Sequence, residues 1–127
     1  MKKTILIFSA LFITAFSFAQ KKELRTVEKA LKKGKTVEAK DMLSSISSTI
    51  ESADAKYKAQ YYYLKGKTYQ DLADKGMDTD VSLKTAGEAY NKLLAFEREQ
   101  KEFKYTKQAK PNLQTMISKM VDKAISA

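Results

Sequence analysis

A chain of 127 residues, 43% hydrophobic and 31% charged, is long enough for one small core and too short for two comfortable domains. It contains no Cys and no His, which excludes disulfides, thiolate metal sites and the imidazole that most often serves as general base or metal ligand. Its formal net charge of +9 raises polyanions or anionic surfaces as partners, while four glycines and one proline are too few for an all-β fold built on tight turns.

Residues 1–19 read as a removable leader. Lys2 and Lys3 precede the uncharged, mostly apolar run Ile5–Phe18, and Ser17-Phe18-Ala19 sets small residues at −3 and −1 of a cleavage site, the pattern of a secretory signal peptide. The run is shorter than the ~20 residues a spanning helix needs. Cleavage after Ala19 would leave an exported chain, residues 20–127, periplasmic or secreted, with no transmembrane anchor. Losing Lys2 and Lys3 leaves it still basic.

The remainder predicts an all-α domain of five helices. In 22–33, Leu24, Val27, Ala30 and Leu31 recur at helical spacing, and Gly34 stops the helix as its C′ residue. Thr36 is placed to cap the next, over 37–51, whose inner stripe is Ala39, Met42, Leu43, Ile46 and Ile50. Its serines, Ser44, Ser45, Ser47 and Ser48, lower its intrinsic propensity. Ser52 or Asp54 caps a third helix running to Ala73. Residues 74–80 read as a loop, and Asp80 as the cap of a fourth helix over 81–101, with Leu83, Ala86, Tyr90, Leu93 and Leu94 inward and the pairs Glu88–Lys92 and Glu97–Lys101 outward. Residues 103–110 are read as a second long connection, because Pro111 belongs near a helix start. Beyond it, Leu113, Met116, Ile117, Met120, Val121, Ala124 and Ile125 form one apolar stripe, expected to pack antiparallel to helix four and close a right-handed helical stack. An apolar edge left uncovered near Val121 and Ile125 would drive self-association.

The third helix holds five of the seven tyrosines and a central glycine. At 100° per residue, Ala55, Ala59, Tyr62, Gly66, Tyr69 and Ala73 share one face. Tyr57, Tyr61, Leu64, Thr68 and Leu72 share a second, and Gln60, Tyr63, Lys67 and Gln70 a third. Two apolar faces predict a helix held between neighbours on both sides. Gly66 removes a side chain so that one neighbour can approach closely, at about 1 kcal/mol relative to Ala in an isolated helix.

This stretch resembles helix A of a tetratricopeptide repeat: Tyr62, Gly66 and Tyr69 stand where that motif has an aromatic, a glycine and an aromatic. Lys65 replaces the usual Leu. Ala86, Tyr90, Leu93 and Leu94 resemble its helix B, although the segment between Ala73 and Ala86 is about eight residues longer than the motif allows. Gly34 and Ala39 fit a weaker first copy, offset by about 39 residues against the usual ~34. With its leader, the layout is similar to exported tetratricopeptide-repeat proteins of the Bacteroidota.

The resemblance implies an α-solenoid that acts as a non-catalytic scaffold for a protein or peptide. No cofactor and no metal are expected of a chain without Cys or His, and nucleic acid is not an expected physiological partner for an exported chain. By the same resemblance Gln60, Tyr63, Lys67 and Gln70 would line the concave groove. The alternative is a basic helical domain that holds an anionic polymer or membrane surface by charge. Its local candidate is Lys101–Lys110, where Lys101, Lys104, Lys107 and Lys110 accompany Phe103 and Tyr105 against Glu102. Asp71, Asp74, Asp78 and Asp80 do not make a calcium loop, since Leu83 stands where the loop starting at Asp78 needs Gly. Met116 and Met120 read as core.

Overall fold

The computed structural model describes residues 19–126, so the expected leader, Ala19 apart, lies outside the described residues. These residues form α1 (19–32), α2 (Thr36–Ile46), a single 3₁₀ turn (Ile50–Ser52), α3 (Ala55–Asp74), α4 (Thr79–Gln100) and α5 (Thr106–Ser126). No strand occurs among them, and none of the helices is long and apolar enough to cross a membrane.

α3 belongs to two cores. Tyr57, Tyr61 and Leu64 close one of them with Leu24, Val27 and Ala30 of α1, Ala39, Leu43 and Ile46 of α2, and Ile50. Its other face, through Ala59, Ala73, Tyr62 and Tyr69, closes the second with Leu83, Ala86, Tyr90 and Leu93 of α4 and Ala109 and Met116 of α5. The two-faced pattern read from the sequence therefore describes the packing. Gly66 is buried against α4: a Cβ there would lie 2.5 Å from Tyr90 Cε1. Tyr62 meets Phe96 edge-on at 6.0 Å between ring centroids.

Pairs of contacts fix the directions. Gly66 and Gln70 meet Tyr90 while Tyr62 meets Phe96, so α3 and α4 are antiparallel. Glu97 meets Thr106 and Asp80 meets Lys123, so α4 and α5 are antiparallel as well. It follows that α3 and α5 are parallel, and Tyr63–Tyr105 and Asp74–Lys119 agree. The bundle thus has two ends. One gathers the α1–α2 turn, the α3–α4 turn and the C-terminal part of α5. There Lys75 Nζ donates to Gly34 O at 3.0 Å and to Thr36 Oγ1 at 2.6 Å, and Lys119 pairs with Asp74 at 2.6 Å. The other end gathers the start of α1, the 47–54 connection, the start of α3 and the α4–α5 turn. There Gln20 Nε2 donates to Thr49 O at 3.1 Å, and Lys56 lines one cleft with Lys104 and Tyr105.

Several expectations are corrected. α2 stops at Ile46, short of Glu51. Ser44, Ser45 and Ser47 turn their hydroxyls onto the carbonyls of Lys40, Met42 and Ser44, competing with the helix in its last turn. Thr36 begins α2 without capping it; its hydroxyl donates to the Asp71 carboxylate of α3. Asp80 does not cap α4, which starts after Asp78, and Asp80 instead pairs with Lys123. The long connection at 74–80 shrinks to 75–78, and the extra length before Ala86 is helix. α5 begins at Thr106, with Pro111 inside it. The bond forgone by Pro111 would have used the carbonyl of Lys107, an exposed residue that water can reach. The α5 stripe is only half covered: Met116 is buried and Leu113 and Met120 partly so, but Ile117, Val121 and Ile125 are exposed. Glu97 is not an outer partner of Lys101; it is buried, at 2% exposure.

Three helices end with the same pair of bonds, from the C′ and C″ amides back to the carbonyls three and five residues earlier. At α1 and α3 the C′ residue is Gly34 (φ +74°) and Gly76 (φ +73°). At α4 it is Lys101 (φ +56°), where a side chain is strained. Lys101→Gly is expected to raise stability by about 1 kcal/mol, read as a higher denaturation midpoint with an unchanged slope.

Candidate functional site

α1 and α3 lie side by side, and a solvent-open groove of about 260 Å³ runs between them. Glu28, Leu31 and Lys32 come from α1, and Tyr63, Leu64, Lys67 and Asp71 from α3. On α1 the residues Leu24, Val27 and Ala30 go to the core, which turns Glu28 and Lys32, one helical turn apart, to the rim. On α3 the two core faces leave only the third for solvent. Leu31 and Leu64 supply apolar floor.

The wall toward α5 is aromatic. Tyr63 stacks on Tyr105, with centroids 4.7 Å apart and planes 19° apart, and lies 6.5 Å from Tyr90. Lys67 Nζ stands 5.8 Å from the Tyr63 ring centroid, within the range of a cation–π attraction. Burial first, and then the neighbouring Tyr105 and Glu28, pushes the Tyr63 hydroxyl above its ordinary pKa.

Among the described residues Glu28, Lys32 and Lys67 make no ion pair, whereas Asp71 is engaged by Lys75 at 3.3 Å and by the Thr36 hydroxyl. The groove therefore offers two free cations and one free carboxylate around an apolar floor. That set can hold an extended segment of mixed charge by side-chain hydrogen bonds and apolar contact. No group of three or more Asp and Glu side chains converges among the described residues in a way that could hold a metal ion.

The four residues expected on the groove separate. Tyr63 and Lys67 line it. Gln60 lies one turn before Tyr63 on the same helical face and is half-buried. Gln70 accepts a 2.6 Å hydrogen bond from the Tyr90 hydroxyl, which also lies 3.4 Å from Asn112 Nδ2. That chain ties α3, α4 and α5 together and gives Gln70 a packing role. Of the motif positions, Ala39, Ala86, Tyr90 and Leu93 are buried and Tyr62, Tyr69 and Leu94 partly so. Glu28, Leu31, Lys32 and Tyr105 were not singled out for the groove from the sequence. The i,i+4 pair Glu28/Lys32 beside the α1 stripe was the available signal.

Burial also raises the hydroxyl pKa of Tyr61, Tyr62, Tyr90 and Tyr105, with Tyr90 shifted most. A raised folded-state pKa means that the unfolded chain releases these protons first. The associated stability is complete below the unfolded value of about 10 and is lost as pH rises beyond it. Alkaline titration should show tyrosinate absorbance appearing late and together with loss of helix.

No protein-family model, curated protein or solved structure matches the chain.

Proposed function

We propose that the chain is an exported, non-catalytic interaction scaffold of tetratricopeptide type, which takes an extended segment of a partner protein in the groove between α1 and α3. The observation that carries this reading is the groove itself: helical walls, an apolar floor, and Glu28, Lys32 and Lys67, which make no ion pair among the described residues. Parallel α3 and α5, the Gly66–Tyr90 contact and the buried Ala86 and Leu93 fit a repeat of helical hairpins. The repeat is uneven, since α2 has 11 residues and α4 has 22.

A photo-activated cross-linking residue placed at Lys32 or Lys67, and at Lys92 on the exposed side of α4, tests it in producing cells. The same discrete adduct is expected from positions 32 and 67 and none from 92. Adducts from 92 alone, or from no position, would remove the groove as the binding face.

A further inference from the structure

Ion pairing is sorted between the two ends of the bundle, among the described residues. Every lysine that forms an ion pair among the described residues, Lys35, Lys75, Lys119 and Lys123, lies at the end holding the α1–α2 and α3–α4 turns. At the other end Lys56, Lys101, Lys104, Lys107 and Lys110 are all exposed and none is paired among the described residues. Lys21 and Lys22 at the start of α1 add to them, against the exposed acids Glu99 and Glu102 on the turn and Glu51 and Asp54 on the 47–54 connection, while Glu97 is committed to the backbone amides of Lys104 and Tyr105. In the middle of these cations, at the tip of the α4–α5 turn, Phe103 is 59% exposed.

We propose that this end of the bundle docks on an anionic phospholipid surface, with the Phe103 ring entering the headgroup level and the surrounding lysines taking lipid phosphates. A short loop held at its base by Glu97 presents the ring without bending the helices behind it. Lysines near an anionic bilayer each add attraction that salt screens, and one aromatic ring adds apolar burial that salt does not remove. A polyanion in free solution would use the lysines but give the ring nowhere to go. The opposite end exposes Val37, Met77 and Val81 and also the unpaired Lys32 and Lys33, but there Glu38, Asp71, Asp74 and Asp80 each pair with a lysine and offset its positive charge. The groove between α1 and α3 would stand across the membrane plane, open from the side.

The chain contains no Trp, so Phe103→Trp gives a single fluorescent reporter at the tip. The test uses protein recovered from the periplasmic or secreted fraction, with phosphatidylcholine vesicles that either contain about 30% phosphatidylglycerol or none. The expected result is a blue shift of the indole emission of the Phe103→Trp variant with the anionic vesicles only. Sedimentation with them should fall about tenfold for Phe103→Ser and about tenfold for Lys101→Glu with Lys104→Glu. Lys84→Glu, away from this end, should bind as the parent chain does. Circular dichroism establishes that each variant is folded before it is compared. Binding without a blue shift, equal binding to neutral vesicles, or equal retention by soluble heparin with no effect of Phe103→Ser would each overturn the proposal, the last in favour of a polyelectrolyte site.

Discussion

Gly66→Leu is expected to destabilise the fold by about 3 kcal/mol or more and to lower the thermal midpoint by more than about 10 °C. A Cβ at this position would fall 2.5, 2.7 and 2.8 Å from three atoms of the Tyr90 ring. The ring cannot step aside cheaply: Tyr90 is fully buried, and its hydroxyl is held by Gln70. Gly66→Ala should fall between, because the same Cβ collides but the side chain ends there. In a helix open to water both substitutions would stabilise, by up to about 1 kcal/mol, since Gly is the poorest non-proline helix former. The sign of the change in a thermal melt therefore separates close packing from a neutral surface. Combining Gly66→Ala with Tyr90→Leu should cost less than the sum of the two single changes, as expected for residues in direct contact.

Glu97→Ala should cost roughly 3 kcal/mol and act mainly on α5. The carboxylate accepts from Lys104 N at 2.8 Å, Tyr105 N at 2.9 Å and the Thr106 hydroxyl at 2.8 Å. These are the donors at the start of α5. Truncation removes their protein acceptor, and hydrogen bonds to a charged group are among the costlier ones to lose. Amide exchange across Thr106–Ser126 should accelerate far more than exchange in α1 and α2, which lie on the other side of α3. Equal acceleration throughout would mean that Glu97 supports the whole fold and not this junction.

The parts of the architecture that could be read from the sequence are those set by periodicity. The three faces of α3 follow from helical spacing alone, and two of them enter the two cores as that spacing requires. Gly34 marks the end of α1 because a left-handed residue is needed there. The errors share a cause: they concern groups whose partners are distant in the chain. Glu97 looked like half of a surface pair with Lys101, and only the fold of the α4–α5 turn brings the start of α5 over it. Thr36 looked like a cap, but its hydroxyl donates to Asp71 and accepts from Lys75, both on α3 and its C-terminal turn. The start of α5 was hidden because Pro111 reads as a boundary, although a single missing bond near a helix start is tolerated when the freed carbonyl faces water. The α3 wheel put Tyr63 and Lys67 on one face, and only the resemblance to a helical repeat implied that this face lines a groove. Gln70 shares their face yet is drawn to Tyr90, a choice that depends on where α4 places its hydroxyl.

The proposed partner site is the groove between α1 and α3. Its most direct test is a calorimetric titration of the partner segment identified by cross-linking, with Lys67→Glu and Lys92→Glu as matched charge reversals on the inner and outer helices. Lys67 lines the groove, and Lys92 lines the cleft between α3, α4 and the 47–51 connection. A loss of at least about tenfold in affinity is expected for Lys67→Glu, with no measurable change for Lys92→Glu. The reverse pattern, or an equal loss from both, would contradict it.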